Sequence, residues 1–222
     1  MIALDFNKGE EWYTELHFKE IEGFRDTGSY TALKSGKSNG IIGISVQSSD
    51  FESPQEFQNN AINYFNENQK IVLNALCQGL LDFYPSIMEM YNIEEYDEEY
   101  GFPKLTAIND VKEIIGIGII HVRDDQKAGF AYLGFECGCP WDEEHGLGII
   151  MYKDKVIEIE TADISFCGSK AVRKDNGTYT EAERFADEQM EKKIADNIAK
   201  YNNEEEEAKL KSNKRWWEFW KK

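Results

Sequence analysis

The chain has 222 residues, a formal net charge of −17 and a pI of about 4.6. Phosphate backbones and anionic bilayers repel such a surface, so nucleic acid and membrane surfaces are not expected partners. A basic protein or a cation would complement it, and solubility alone would also account for it. The length suits one domain plus an appendage, and an aromatic share of 13% supports a sizeable core.

The opening residues MIALDFNKGEEWY lack a basic start followed by an apolar run, so no signal peptide is expected. No stretch reads as the ~20 apolar residues of a membrane span; IIGIGII at 114–120 is short and glycine-interrupted. Integral membrane association is therefore not expected. Four cysteines without export point to free thiols in a reducing compartment, the cytoplasm.

In chain order, Trp12, Thr14, Leu16 and Phe18 alternate with polar residues, which predicts a strand over 12–21. GIIGISVQ at 40–47 predicts a second strand, after the loop SGKSNG. Ser53-Pro54-Gln55-Glu56 reads as a helix start, with serine as cap, proline in the first position and glutamate closing a capping box. Apolar residues then recur at helical spacing from Phe57 to Phe83. One long helix, or two in line, is predicted to end near Pro85, with Met88, Met90 and Tyr91 extending the core.

EEYDEEY at 94–100 is an acidic, tyrosine-containing loop. Asn109 or Asp110 is predicted to cap a short helix ending near Gly116. Strands are predicted at 117–122, 130–139, 147–152 and 156–160, joined by the turns DDQKAG, WDEEHG and KDK. Tight turns between successive strands predict an antiparallel meander, and the simplest fold class is α+β, a mainly antiparallel sheet packed on the 54–84 helix. Residues 1–170 form the expected domain. Residues 171–222 add a polar connector, a charged amphipathic helix opened by the box Thr180-Glu181-Ala182-Glu183, and the ending RWWEFWKK.

The densest chemistry lies at Cys137-Gly-Cys139-Pro-Trp141-Asp142-Glu143-Glu144-His145-Gly146. Cysteine, histidine and carboxylate are zinc ligand types, and an acid beside a histidine suits acid–base work. The paired spacing of structural zinc sites is missing, and Cys167 and His121 would have to complete such a site through folding. A hairpin turn needs the same residue types: aspartate accepts bonds from nearby backbone N–H groups, and Gly146 suits positive φ. The turn reading ranks first, partner contact second, metal or catalysis third, and no cofactor is expected. Trp216, Trp217, Phe219 and Trp220 form a sticky patch for which self-docking ranks ahead of partner or membrane contact.

The segment YLGFECGCPWDEEHGLGIIMYKDKVIEIETADISF at 132–166 resembles an uncharacterised bacterial domain family marked by a WDEEHG turn between two strands. INDVKEIIGIGIIHV at 108–122 resembles the same family, and the resemblance covers roughly residues 10–170. It carries over to Trp141, Asp142, Glu143, Glu144, His145, Gly146, Gly148 and Asp163, and Glu160-Thr161 stands where relatives tend to have glycines. The family implies no activity. It is similar in style to small acidic proteins of bacterial toxin–immunity neighbourhoods.

The expected function is therefore non-enzymatic capture of a basic protein, with an immunity-type inhibitor as one form. Its expected contacts are Asp97, Glu98, Glu99, Trp141, Asp142, Glu143, Glu144, His145 and the tail residues Trp216, Trp217 and Trp220. Two alternatives stand beside it: a metal-dependent hydrolase-like enzyme using Asp142, Glu144 and His145, and a structural homo-oligomer assembled through 180–222.

Overall fold

The computed structural model describes residues 7–8, 12–28, 31–47 and 53–220, with side-chain surroundings for 12–28, 31–47 and 53–201. The signal-peptide expectation rests mainly on residues outside these, and the docking of the tryptophan tail falls outside them too. The chain divides into two compact units, Met1–Asn176 and Gly177–Lys222.

The first unit is α+β, built on a seven-stranded sheet. Its strands are β1 (Asn7–Lys8), β2 (Trp12–His17), β5 (Ile41–Val46), β6 (Gly116–Lys127), β7 (Phe130–Gly138), β8 (Leu147–Tyr152) and β9 (Lys155–Glu160), in that spatial order. All neighbours are antiparallel except β5 and β6, which run parallel. The parallel pair arises because the chain crosses over through three helices between them. A two-stranded ribbon, β3 (Arg25–Thr27) with β4 (Leu33–Lys37), forms a second, separate sheet.

β2 stops at His17, short of the predicted strand end, because the chain enters a 3-10 turn at Lys19–Gly23 that buries Ile21. β6 runs through the predicted turn DDQKAG to Lys127, and the reversal falls on Ala128 and Gly129, at φ 47° and 78°.

The helices are α1 (Glu56–Glu67), α2 (Gln69–Met90) and α3 (Ile108–Ile114). α1 starts later than Ser53 predicts: Gln55 is the cap, and its N–H donates to Gln58 Oε1 at 2.9 Å. Gln58 is fully buried and also donates to the carbonyls of Gln47 and Arg123, tying the helix start to β5 and β6. Asn68 breaks the run, donating its side-chain amide to the Tyr64 carbonyl. Pro85 does not end α2, because it sits on the exposed side, where the carbonyl it leaves unpaired can reach water. The stop is Asn92 at φ 56°: Ile93 N–H donates to Met88 O and Asn92 N–H to Glu89 O, a Schellman ending. Asp110 caps α3 from its first turn, accepting from the N–H groups of Thr106 and Ala107.

By length and composition α2 is apolar enough to cross a membrane, contrary to the reading of the sequence. Here its stripe Val72, Leu73, Leu76, Cys77, Leu80, Tyr84, Ile87 and Met88 is buried in the core. Met90 and Tyr91 are 65% and 40% exposed, so they do not extend that core.

The sheet's two faces differ. Ile42, Ile44, Val46, Ile120, Val122, Leu133, Phe135, Ile149 and Met151 join one cluster with α1 and α2. The opposite face carries glycines against which other chain segments lie. A Cβ on Gly134 would stand 1.9 Å from the Ser165 carbonyl oxygen, and one on Gly138 2.0 Å from that of Thr31. Fully buried Arg123 secures this contact, donating to the carbonyls of Ile164, Ser165 and Cys167 and pairing with Asp125 at 2.9 Å. It satisfies carbonyls that a 3-10 turn (Ala162–Ser165) leaves open at its end. The expected polar connector instead holds a helix, α4 (Lys170–Asn176), whose Asp175 binds Lys127, Lys155 and Tyr132.

The second unit is α5 (Glu181–Trp220), opened by the predicted box in which Thr180 and Glu183 exchange hydrogen bonds. Phe185, Met190, Ile194, Ile198 and Tyr201 are exposed along it.

Candidate functional site

The WDEEHG turn joins β7 to β8 and is organised by Asp142. Its Oδ1 accepts from the His145 backbone N–H at 2.9 Å, and its carbonyl accepts from the Gly146 N–H at 2.9 Å. Gly146 takes φ 66°, which a side chain would strain. Asp142 Oδ1 also lies 3.0 Å from His145 Nδ1. An ionised carboxylate only accepts, so Nδ1 carries the proton in this contact. On the other oxygen, Oδ2, Asp142 accepts from the Tyr91 hydroxyl at 2.6 Å. Burial pushes the Asp142 carboxyl up, and the bonds from Tyr91 and His145 outweigh it, leaving the group below the ordinary carboxylate range.

Glu143 and Glu144 are exposed and make no hydrogen bond or ion pair among the described residues. Asp142 and His145 thus meet, and Glu144 does not join them. Three of the four cysteines serve the core. Cys77, Cys137 and Cys139 are buried free thiols, and burial pushes Cys139 up to about 12. Cys167 is exposed. Among the described residues, no three His, Cys, Asp or Glu side chains gather as metal ligands, so Cys137, Cys139, Cys167 and His121 form no shared site. His121 instead pairs with Glu136 at 2.7 Å.

The fold brings the acidic loop to this turn. Gly101, at φ 80°, lies so close that a Cβ would stand 2.2 Å from the Pro140 carbonyl oxygen. Phe102 stacks on Trp141 with centroids 6.2 Å apart, and Tyr84 and Tyr91 flank Phe102. Trp141 is 9% exposed and therefore supports the turn from below. Asp97 is committed to its own loop, accepting from the N–H groups of Glu99 and Tyr100. Glu94, Glu95, Glu98 and Glu99 remain exposed, as do Tyr96 and Tyr100 at 52% and 71%.

Beside the turn opens a cavity of about 250 Å³, between the end of α2 and the end of β9. Phe83, Ile87, Met90, Leu147 and Ile159 give it apolar walls, Tyr91 and Trp141 add rings, and Gly146, Glu160 and Thr161 complete its rim. Burial, then Glu158 and Asp163, push the Glu160 carboxyl up.

Reading the sequence missed Tyr91 as the partner of Asp142, Glu160 at the cavity rim, and Gly101-Phe102 as the link between loop and turn. Tyr91 lies 51 positions before Asp142, and no local pattern couples them. A glycine closing an acidic loop was the one usable signal.

Fold and site define an acidic α+β domain whose exposed carboxylates flank an apolar cavity. No curated protein and no solved structure matches the chain. The family model "Domain of unknown function (DUF6985)" matches residues 12–166, and the chain belongs to that family. The whole of α5 lies beyond the match.

Proposed function

We propose that this protein is a non-enzymatic binding protein that captures a basic partner, an immunity-type inhibitor being one form of it. The observation that supports it is the seating of Gly101 on Pro140 and of Phe102 on Trp141, which brings the loop that carries Glu98 and Glu99 against the turn that carries Glu143 and Glu144. Among the described residues these carboxylates have no cationic partner, and such charges steer a basic protein into encounter, while exposed tyrosines provide contact area. Asp97, Asp142 and Trp141 hold this surface together, while the four glutamates with Tyr96, Tyr100 and His145 would do the touching.

The test reverses Glu98, Glu99, Glu143 and Glu144 to lysine and measures binding to a panel of purified basic proteins between about 50 and 500 mM salt. Wild type should bind more weakly as salt rises, and the variant should lose roughly a hundredfold or more at low salt. Binding that ignores salt and survives the reversal would refute the reading.

Hydrolase-like chemistry is the second reading, and the Asp142–His145 contact favours it, because it fixes the ring through Nδ1 and leaves Nε2 at the exposed rim. It requires Glu144 to turn inward. Ester or phosphoester turnover that is lost in His145→Ala would support it, and no turnover with or without added divalent metal would end it. The exposed stripe on α5 favours homo-oligomerisation as a third, which an unchanged solution mass after deletion of 203–222 would remove for that segment.

A further inference from the structure

The sheet face turned away from α1 and α2 opens, across β2, β5, β6 and β7, into a cavity of about 380 Å³. That is the size class of small-molecule pockets. Strand register sets its floor. Glu15 pairs with Gly43, Gly43 with Ile119, and Ile119 with Glu136, so these four form one row across four strands and share one face. All four line the cavity. The neighbouring row on the same face is Tyr13, Ser45, His121 and Gly134. The β3–β4 ribbon roofs the β6 side, where a Cβ on Gly118 would stand 3.2 Å from Thr31 Cγ2 and 3.5 Å from Thr27 Oγ1.

The two ends of the row are carboxylates. Glu136 accepts from His121 Nε2 at 2.7 Å, and the His121 side chain is only 8% exposed. The other ring nitrogen, Nδ1, is buried with no partner among the described residues. An imidazolium would leave an unsatisfied N–H there, so His121 orients Glu136 without cancelling its charge. At the other end the Tyr13 hydroxyl bonds Glu15 and rests on Gly43, where a Cβ would stand 2.7 Å from it. Among the described residues neither glutamate pairs with a lysine or arginine, whereas Asp26 at the rim is answered by Lys34 at 3.5 Å. No three His, Cys, Asp or Glu side chains among those residues gather as metal ligands, so the charges suit an organic cation rather than a metal. Three strand spacings of about 4.8 Å put the Cα atoms of the two glutamates about 14 Å apart, with Ile119 and the Tyr13 ring between them. Two separated negative ends on a partly apolar floor match two positive charges joined by hydrocarbon. A single lysine or arginine of a protein brings one.

We infer that this cavity binds a linear aliphatic diamine, with one ammonium on Glu136, the other on Glu15, and the methylene chain across Gly43 and Ile119. The site shares no residue with the carboxylate rim proposed for a basic partner and stands independently of it.

The test titrates the full chain with cadaverine and with pentylamine, which differ only in the second ammonium. Salt at about 150 mM screens diffuse attraction to the acidic surface. Binding is read by calorimetry and by NMR of the Ile41 and Ile119 methyls, which line the cavity. Cadaverine should shift these methyls and bind roughly tenfold tighter than pentylamine. Glu136→Gln and Glu15→Gln should each bring cadaverine down to the level of pentylamine, and Glu15→Lys, which supplies a cation in place, should abolish its binding. Should a variant fail to fold, the two amines compared on the wild-type chain still decide. Equal affinity for the two amines, cadaverine binding that survives both glutamine substitutions, or shifts confined to residues 94–100 and 143–145 would overturn the inference. So would a lysine-containing peptide that displaces cadaverine from the methyls at equal or lower concentration, since it would make the occupant a protein side chain.

Discussion

The two faces of the central sheet are held by opposite means. Toward α1 and α2, large side chains interlock: Phe18 meets Phe65 edge to ring at 4.9 Å, and Phe65 meets Phe135 at 5.6 Å. Toward the 3-10 turn (Ala162–Ser165), backbone lies directly on backbone, and Gly134 and Gly148 are what permit it, as Gly138 does for the backbone at Thr31. The first face is stabilised by apolar area removed from water. The second is held by fit and by polar staples, Arg123 on three carbonyls and Asp175 on two lysines and a tyrosine. A side-chain face can repack around an error, and a backbone face cannot move one atom without moving the chain.

The strongest way to break the comparison is Gly134→Ala. One methyl would meet the Ser165 carbonyl oxygen at 1.9 Å, so the turn must lift and Arg123 lose its acceptors. We expect a loss of about 4 kcal/mol in chemical denaturation, at the upper end for a single substitution. A loss below about 1 kcal/mol would show that the second face repacks as freely as the first.

Asp175→Asn tests the staple. Burial pushes the Asp175 carboxyl up, and the bonds from Lys155, Lys127 and Tyr132 more than offset this, bringing it down to about 2. The folded value lies below the unfolded one, near 3.9, so the stabilisation is present above about pH 4 and fades as pH falls toward 2. The variant should lose about 2 kcal/mol at pH 7, and the gap to wild type should close as pH drops through that window. A gap that does not change with pH would assign the loss to packing alone.

The smallest effect is expected from Gly79→Ala, on the helix-covered face. Its methyl would meet Val156 Cγ2 at 2.6 Å, a side-chain atom rather than backbone. A rotation of Val156 and the gain in helix propensity act in opposite directions, so the net change should stay within about 1 kcal/mol. A loss matching that of Gly134→Ala would erase the distinction between the faces.

Much of the first face was legible in the sequence. The stripe from Phe57 to Phe83 and the strand runs at 117–122, 130–139 and 147–152 came from local periodicity, which burial on one side imposes on any helix or strand. The turn role of Asp142 and Gly146 was legible for the same reason, since both act within five residues. The second face was not. Gly134 and Gly148 lie inside the predicted strands 130–139 and 147–152, and nothing near them in sequence announces the segment that crosses them. Pro85 misled because a solvent-side carbonyl can do without its helical partner, and Asn92 ended the helix instead.

The sequence by itself determined the acidic charge, the helix and strand periods, the capping box at Thr180 and the turn at 141–146, because these depend on composition or on neighbours a few residues apart. Only the tertiary structure decided that β5 and β6 run parallel, that Arg123 is buried, that Tyr91 meets Asp142, and that Gly101 lays the acidic loop against Pro140. Each joins residues tens of positions apart, and such contacts exist only once the chain has closed its loops and the core has fixed which segments can approach.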